Sequence, residues 1–115
     1  MSVTIYHNPE CSKSRQTLAL LEERGIEPEI VEYLQSPPAA VELKAVLEKL
    51  EMSPRDLMRK KESEYTDLDL DNPDLTEDQL IDFMIQHPIL IERPVVLANG
   101  KAALGRPPEQ VLDIL

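Results

Sequence analysis

The chain has no second cysteine. Cys11 stands alone among 115 residues, so no disulfide can form within the chain. A reactive thiol at Cys11 would have no resolving partner of its own. This usage fits a reducing cytoplasm, and a cytoplasmic protein is expected. No N-terminal apolar run resembles a signal peptide, and no stretch approaches the length of a membrane span. Cationic charge is scarce as well. Twelve Lys and Arg face 22 Asp and Glu, for a formal net charge of −10. Nucleic-acid binders usually carry a basic face, so that class is disfavoured. Repeats, low-complexity tracts and a convincing linker are also missing. What remains suits one domain over 1–115. A hydrophobic share of 42% is enough for a modest core. A domain of this size buries about two-thirds of its unfolded surface, so it can fold without metals or disulfides.

The stretch Tyr6-His7-Asn8-Pro9-Glu10-Cys11-Ser12-Lys13-Ser14-Arg15 organises the rest. An alternating run, residues 2–6, reads as a first strand and ends just before it. A helix is expected over 12–24, with Leu18 and Leu21 on one face, Leu20 close by, and Gly25 as its stop. A thiol at such a strand-to-helix turn meets the unpaired N–H groups of the first helical turn. Those groups and the helix dipole favour thiolate over thiol. Lys13, Arg15 and a protonatable His7 are expected to push the same way. A buried, inert Cys11 is the plain alternative, since free cysteine is among the most buried residue types. Polar neighbours on both sides favour the reactive thiol. His7 could equally just pack at the strand end.

Residues 29–33 read as a second strand, parallel to the first through a right-handed crossover. Pro37-Pro38 precedes a helix whose Leu43, Val46, Leu47 and Leu50 have amphipathic spacing. Ser53-Pro54 looks like a fresh helix start, carrying Leu57 and Met58 inward and ending near Arg59-Lys60-Lys61. Residues 62–75 read as acidic loop with at most a short turn. Their spaced aspartates resemble a calcium loop but lack its glycine and its flanking helices, so that reading is set aside. Thr76-Glu77-Asp78-Gln79 resembles a capping box, opening a helix that buries Leu80, Ile81, Phe83 and Met84. Asn99-Gly100 between two apolar runs is a two-residue hairpin turn. A last helix should follow Pro107-Pro108, with Val111, Leu112, Ile114 and Leu115 apolar. The order predicts an α/β fold: a thioredoxin-like mixed four-stranded sheet, with a helical insertion at about 38–88 between the second and third strands.

Arg93 and Arg106 each precede a proline, which biases them to extended backbone. Arg93-Pro94 leads into the hairpin and Arg106-Pro107 leaves it, so both arginines should lie near one end of the sheet. Guanidinium groups gathered at one point are costly unless an anion sits there, and their forks match tetrahedral oxyanions. A thiolate beside them could attack such an oxyanion. A phosphatase loop would place an arginine six positions after the cysteine. Here Arg15 comes too early and the loop lacks glycine, so that chemistry is set aside.

With these residues in view, the chain resembles the glutaredoxin-coupled arsenate reductases of bacteria. Ile5 to Arg15 carries the likeness. So do Leu57-Met58-Arg59-Lys60, the run from Leu80 to Ile91, Glu92-Arg93-Pro94-Val95-Val96, and Gly105-Arg106-Pro107. The resemblance implies Cys11 as nucleophile on arsenate, with His7 and Ser14 helping to hold the thiolate. It implies Arg59, Arg93 and Arg106 as oxyanion ligands, with Asn8 and Arg15 in the same substrate loop. Arg93-Pro94 falls where thioredoxin-like folds carry a cis proline facing the thiol. Glutathione would be co-substrate, glutaredoxin would resolve the mixed disulfide, and no bound cofactor or metal is implied. Neither nucleic acid nor membrane is an expected partner, and a monomer is expected. Two other readings stay open. One is a non-enzymatic thioredoxin-fold regulator that binds a protein such as RNA polymerase. The other is a thiol-dependent reductase of another substrate.

Overall fold

The computed structural model describes residues 2–115. They form two compact units. One comprises the residues up to Ser36 together with Arg93–Leu115, and the other is Pro37–Glu92.

The first unit is built on a sheet. Strand β1 (Val3–Tyr6) leads through the Cys11 loop into helix α1 (Ser12–Glu23), and β2 (Glu29–Val31) follows. β3 (Val95–Ala98) and β4 (Lys101–Leu104) complete a sheet of order β2-β1-β3-β4. β1 pairs parallel with β2 and antiparallel with β3, and β3 pairs antiparallel with β4. The sheet is the thioredoxin-like mixed four-stranded one expected from the sequence, with the parallel β1–β2 pair and the β3–β4 hairpin. Gly25, at φ 75°, closes α1 in the left-handed region that favours glycine. Asn99 and Gly100, at φ 55° and 74°, make the hairpin turn.

Val3, Ile5, Leu21, Val96, Ala98, Val111 and Ile114 form the core of this unit, with Leu18 and Leu20 packed against it. Full burial of each such aliphatic contributes about 1.5–3 kcal/mol. Two expectations need correction. β2 stops at Val31, and Tyr33 is buried beyond its end. The C-terminal element, Pro108–Ile114, is a 3-10 helix. It buries Val111 and Ile114, while Leu112 and Leu115 are only half-buried. The Asn99 carboxamide donates to Ile114 O at 2.8 Å and ties this element to the hairpin turn.

The second unit is helical. α2 (Ala40–Leu50) buries Leu43, Val46 and Leu47. α3 (Pro54–Leu57) begins as read, with Ser53 Oγ accepting from Asp56 N–H. It does not run to the cationic cluster. Met58 turns extended and bridges to Ile91, and Arg59 N–H donates to Leu90 O at 2.7 Å. Pairing ends the helix there, so Arg59-Lys60-Lys61 does not serve a helix dipole. α4 (Ser63–Asp67) is a short helix in the acidic stretch. α5 (Glu77–Gln86) has the expected box: Thr76 Oγ1 accepts from Gln79 N–H at 3.2 Å, and Gln79 Oε1 accepts from Thr76 N–H at 2.9 Å. It buries Leu80, Ile81 and Met84, whereas Phe83 is half-buried. Arg55 holds the acidic stretch in place, donating to Leu70 O at 3.0 Å and Asn72 O at 2.6 Å. Among the described residues, no helix is long and apolar enough to cross a membrane.

Candidate active site

Cys11 is the N-cap of α1. The residue is 8% exposed and counts among the buried residues of the chain. Burial alone would push the thiol up. The Ser14 N–H, the Arg93 guanidinium by hydrogen bond and charge, and the Lys13 N–H outweigh that and bring it below its ordinary value. Arg106 adds an Nη2–H aimed at Sγ from 3.8 Å. The sulfur is thus buried among donors, which favours the anion.

The two arginines reach it through the hairpin. Arg93 lies two residues before Val95 and Arg106 two residues after Leu104, and Val95 and Leu104 are a facing pair. Arg106 Nε donates to Arg93 O at 2.8 Å, which fixes the guanidinium plane. Both the Arg93-Pro94 and Arg106-Pro107 peptides are cis. The two X-Pro pairs flank the hairpin and bring their arginines to one end of the sheet, as their spacing predicts.

The nearby cations behave differently from expectation. His7 is buried, and burial lowers its pKa; Glu32 opposes this and Arg15 reinforces it. A neutral ring adds no positive charge to the sulfur. His7 instead works with Ser14. Asn8 N–H donates to Ser14 Oγ at 3.0 Å, and the same hydroxyl is hydrogen-bonded to His7 Nδ1 at 2.6 Å. Ser14 is fully buried, so this bridge shapes the loop rigidly. The Asn8 side chain accepts from Glu10 N–H at 3.0 Å, and its carbonyl accepts from Cys11 N–H at 3.0 Å. Arg15 is exposed and donates to Pro9 O at 2.9 Å. The sulfur therefore draws on the backbone N–H groups of α1 and on the Arg93 and Arg106 guanidiniums of the hairpin ends.

Arg59 belongs to the helical unit. Its Nε donates to Glu62 at 3.1 Å and its Nη1 to Glu92 at 2.9 Å. Burial would weaken its charge, but the two carboxylates outweigh burial and keep it cationic. Sequence reasoning missed two residues of the sheet unit. Thr17 is fully buried, three positions after Ser14, and its hydroxyl donates to Lys13 O at 2.8 Å. Gly105 is buried directly before Arg106. The stripe Ser14, Thr17, Leu21 had helical spacing and could have exposed the first.

The chain matches the model of the ArsC family over residues 6–114. It is 56% identical over 114 residues to the uncharacterized protein YfgD of Escherichia coli K12, covering 98% of this chain and 96% of that one. It is 54% identical over 114 residues to an arsenate reductase of Neisseria meningitidis serogroup A, covering 98% and 97%. A solved arsenate reductase structure from Vibrio cholerae superposes with a TM-score of 0.97 at 53% identity, covering 100% of this chain and 98% of that one.

Proposed function

The chain belongs to the ArsC family, and from that premise we propose that it reduces arsenate to arsenite through a cysteine–arsenic intermediate on Cys11. The observation that carries this is one sulfur, capped by the first-turn amides of α1, with the Arg93 guanidinium hydrogen-bonded to it and Arg106 Nη2 at 3.8 Å. The same groups that hold a thiolate suit an oxyanion arriving beside it.

The Cys11 thiolate attacks arsenic, and one arsenate oxygen leaves as water. A glutathione thiol adds to the arsenic with loss of a second water. A further thiol attacks the glutathione sulfur, and the electron pair of that sulfur–arsenic bond stays on arsenic, taking As(V) to As(III). Water then displaces Cys11 and arsenite leaves. Two electrons require two thiols besides Cys11, and the chain holds no second cysteine. Glutathione as co-substrate and glutaredoxin as the resolving partner fit that need.

Arg93 and Arg106 neutralise the incoming oxyanion, and His7 and Ser14 hold the loop that presents Cys11. Arg59 joins them as an oxyanion ligand, on the strength of the Leu57-Met58-Arg59-Lys60 motif. The test is arsenate turnover with glutathione and glutaredoxin. Wild type should turn over and Cys11→Ser should not. Equal inactivity of the two sinks the assignment. Arg59→Ala should raise KM for arsenate, and an unchanged KM removes Arg59 from the site.

A further inference from the structure

Gly105 touches no reacting atom, yet the tightest approach at any of the three glycines occurs there. A Cβ on Gly105 would lie 2.6 Å from Pro94 Cγ, 3.1 Å from Thr17 Cγ2 and closer still to Thr17 Oγ1. No side chain fits in that space without something moving. Its φ is outside the left-handed region, so glycine is needed there for room alone.

The three neighbours all lead to the sulfur. Thr17 is fully buried on α1, and its hydroxyl is held by Lys13 O. Lys13 in turn supplies one of the N–H groups on Cys11. Pro94 directly follows Arg93, and its carbonyl accepts from Gly105 N–H at 3.0 Å. Arg106 comes next after Gly105, clamped on Arg93 O and reaching Cys11. Each hairpin cation on the thiolate is one residue away from this contact.

We propose that the missing side chain of Gly105 sets the spacing between the helix that carries Cys11 and the hairpin that carries Arg93 and Arg106, so that Gly105 and Thr17 are positioning residues for the nucleophile. This rests on the reading of Cys11 as that nucleophile. A methyl group at position 105 pushes α1 away from the hairpin and lengthens both guanidinium contacts. The thiolate then loses part of its stabilisation, and a bound oxyanion is held out of line.

The experiment compares wild type, Gly105→Ala, Thr17→Val and the double variant Gly105→Ala/Thr17→Ala. The thiol pKa is read from the pH dependence of alkylation by iodoacetamide, beside arsenate KM and kcat. Gly105→Ala should raise the thiol pKa by about half a unit or more. It should lower arsenate kcat/KM by about tenfold or more, since a misplacement of about 1 Å can cost about 10²-fold. Thr17→Val keeps the bulk that faces Gly105 but loses the bond to Lys13 O, so it should raise the thiol pKa by less than Gly105→Ala does. The double variant removes two of the three obstructing atoms, so it must fold and recover part of both losses. A folded Gly105→Ala with the wild-type thiol pKa overturns the proposal, and a lower Tm without a pKa change marks Gly105 as packing only. Should Gly105→Ala not fold, an unfolded double variant overturns it too. If wild type shows no arsenate turnover, the functional reading fails while the thiol pKa still decides this one.

Discussion

Arg106 Nη2 lies 3.8 Å from Cys11 Sγ, although the two residues are 95 positions apart in the chain. The same guanidinium spends its Nε–H on Arg93 O at 2.8 Å. One planar fork therefore braces the backbone and faces the sulfur at once. A lysine offers a flexible point charge in place of the planar fork, so it loses this fixed two-pronged geometry. Arg106→Lys should lower arsenate kcat/KM by about tenfold or more, near 1.4 kcal/mol of transition-state stabilisation. Steady-state kinetics check this, and wild-type values would show that charge alone suffices.

The thiol and the imidazole should both leave a mark on stability against pH. Cys11 has a folded pKa below its ordinary value. Its contribution is thus full above the unfolded pKa, near 8.5, and is lost as pH falls through the folded one. The stability lead of wild type over Cys11→Ser should grow from pH 6 to pH 9. His7 is also lowered, chiefly by burial. Its contribution is full above about 6.5 and is lost as pH falls below that. Wild type should therefore lose more stability than His7→Gln between pH 7.5 and 5, by at most about 1.4 kcal/mol per pH unit. Urea denaturation at each pH measures both differences.

Ser14→Ala removes a buried hydroxyl shared by His7 Nδ1 and Asn8 N–H. Both partners then lack their bond inside the protein. The expected loss of stability is about 1–3 kcal/mol. Alkylation of Cys11 should also slow at neutral pH, because the loop that presents it loosens. A variant equal to wild type in both would mean that water replaces the hydroxyl.

Arg55 is the only described side chain hydrogen-bonded to the carbonyls of both Leu70 and Asn72. Arg55→Ala should raise amide hydrogen exchange across the stretch from Ser63 to Leu75, while α2 keeps its protection. Uniform exchange changes across the helical unit would instead point to a general loss of stability.

Much of this was legible because it is local. The Asn99-Gly100 turn, the Thr76 box and the Ser53-Pro54 start are fixed by neighbours a few positions away. The convergence of Arg93 and Arg106 could be read because a hairpin carries its two ends together. Pairing between distant segments was not legible. The Met58–Ile91 bridge ends α3 early, and no residue near Leu57 announces it. The source of the thiolate was half legible. The helix start was plain, but the neutral state of His7 follows from burial, which sequence does not report. Gly105 was read only as part of the Gly105-Arg106-Pro107 motif, since the sequence does not report what would collide with a side chain there.

A hairpin measures from its tip. Arg93 and Arg106 stand at equal strides from Asn99-Gly100, one on each arm. Adding two residues to both arms would carry the pair outward together with their alternation intact. Deleting one residue from a single arm would turn its arginine to the opposite face of the ribbon and leave its mate behind. The alignment of the two charges is therefore stored in the lengths of β3 and β4, whose apolar residues never meet an anion.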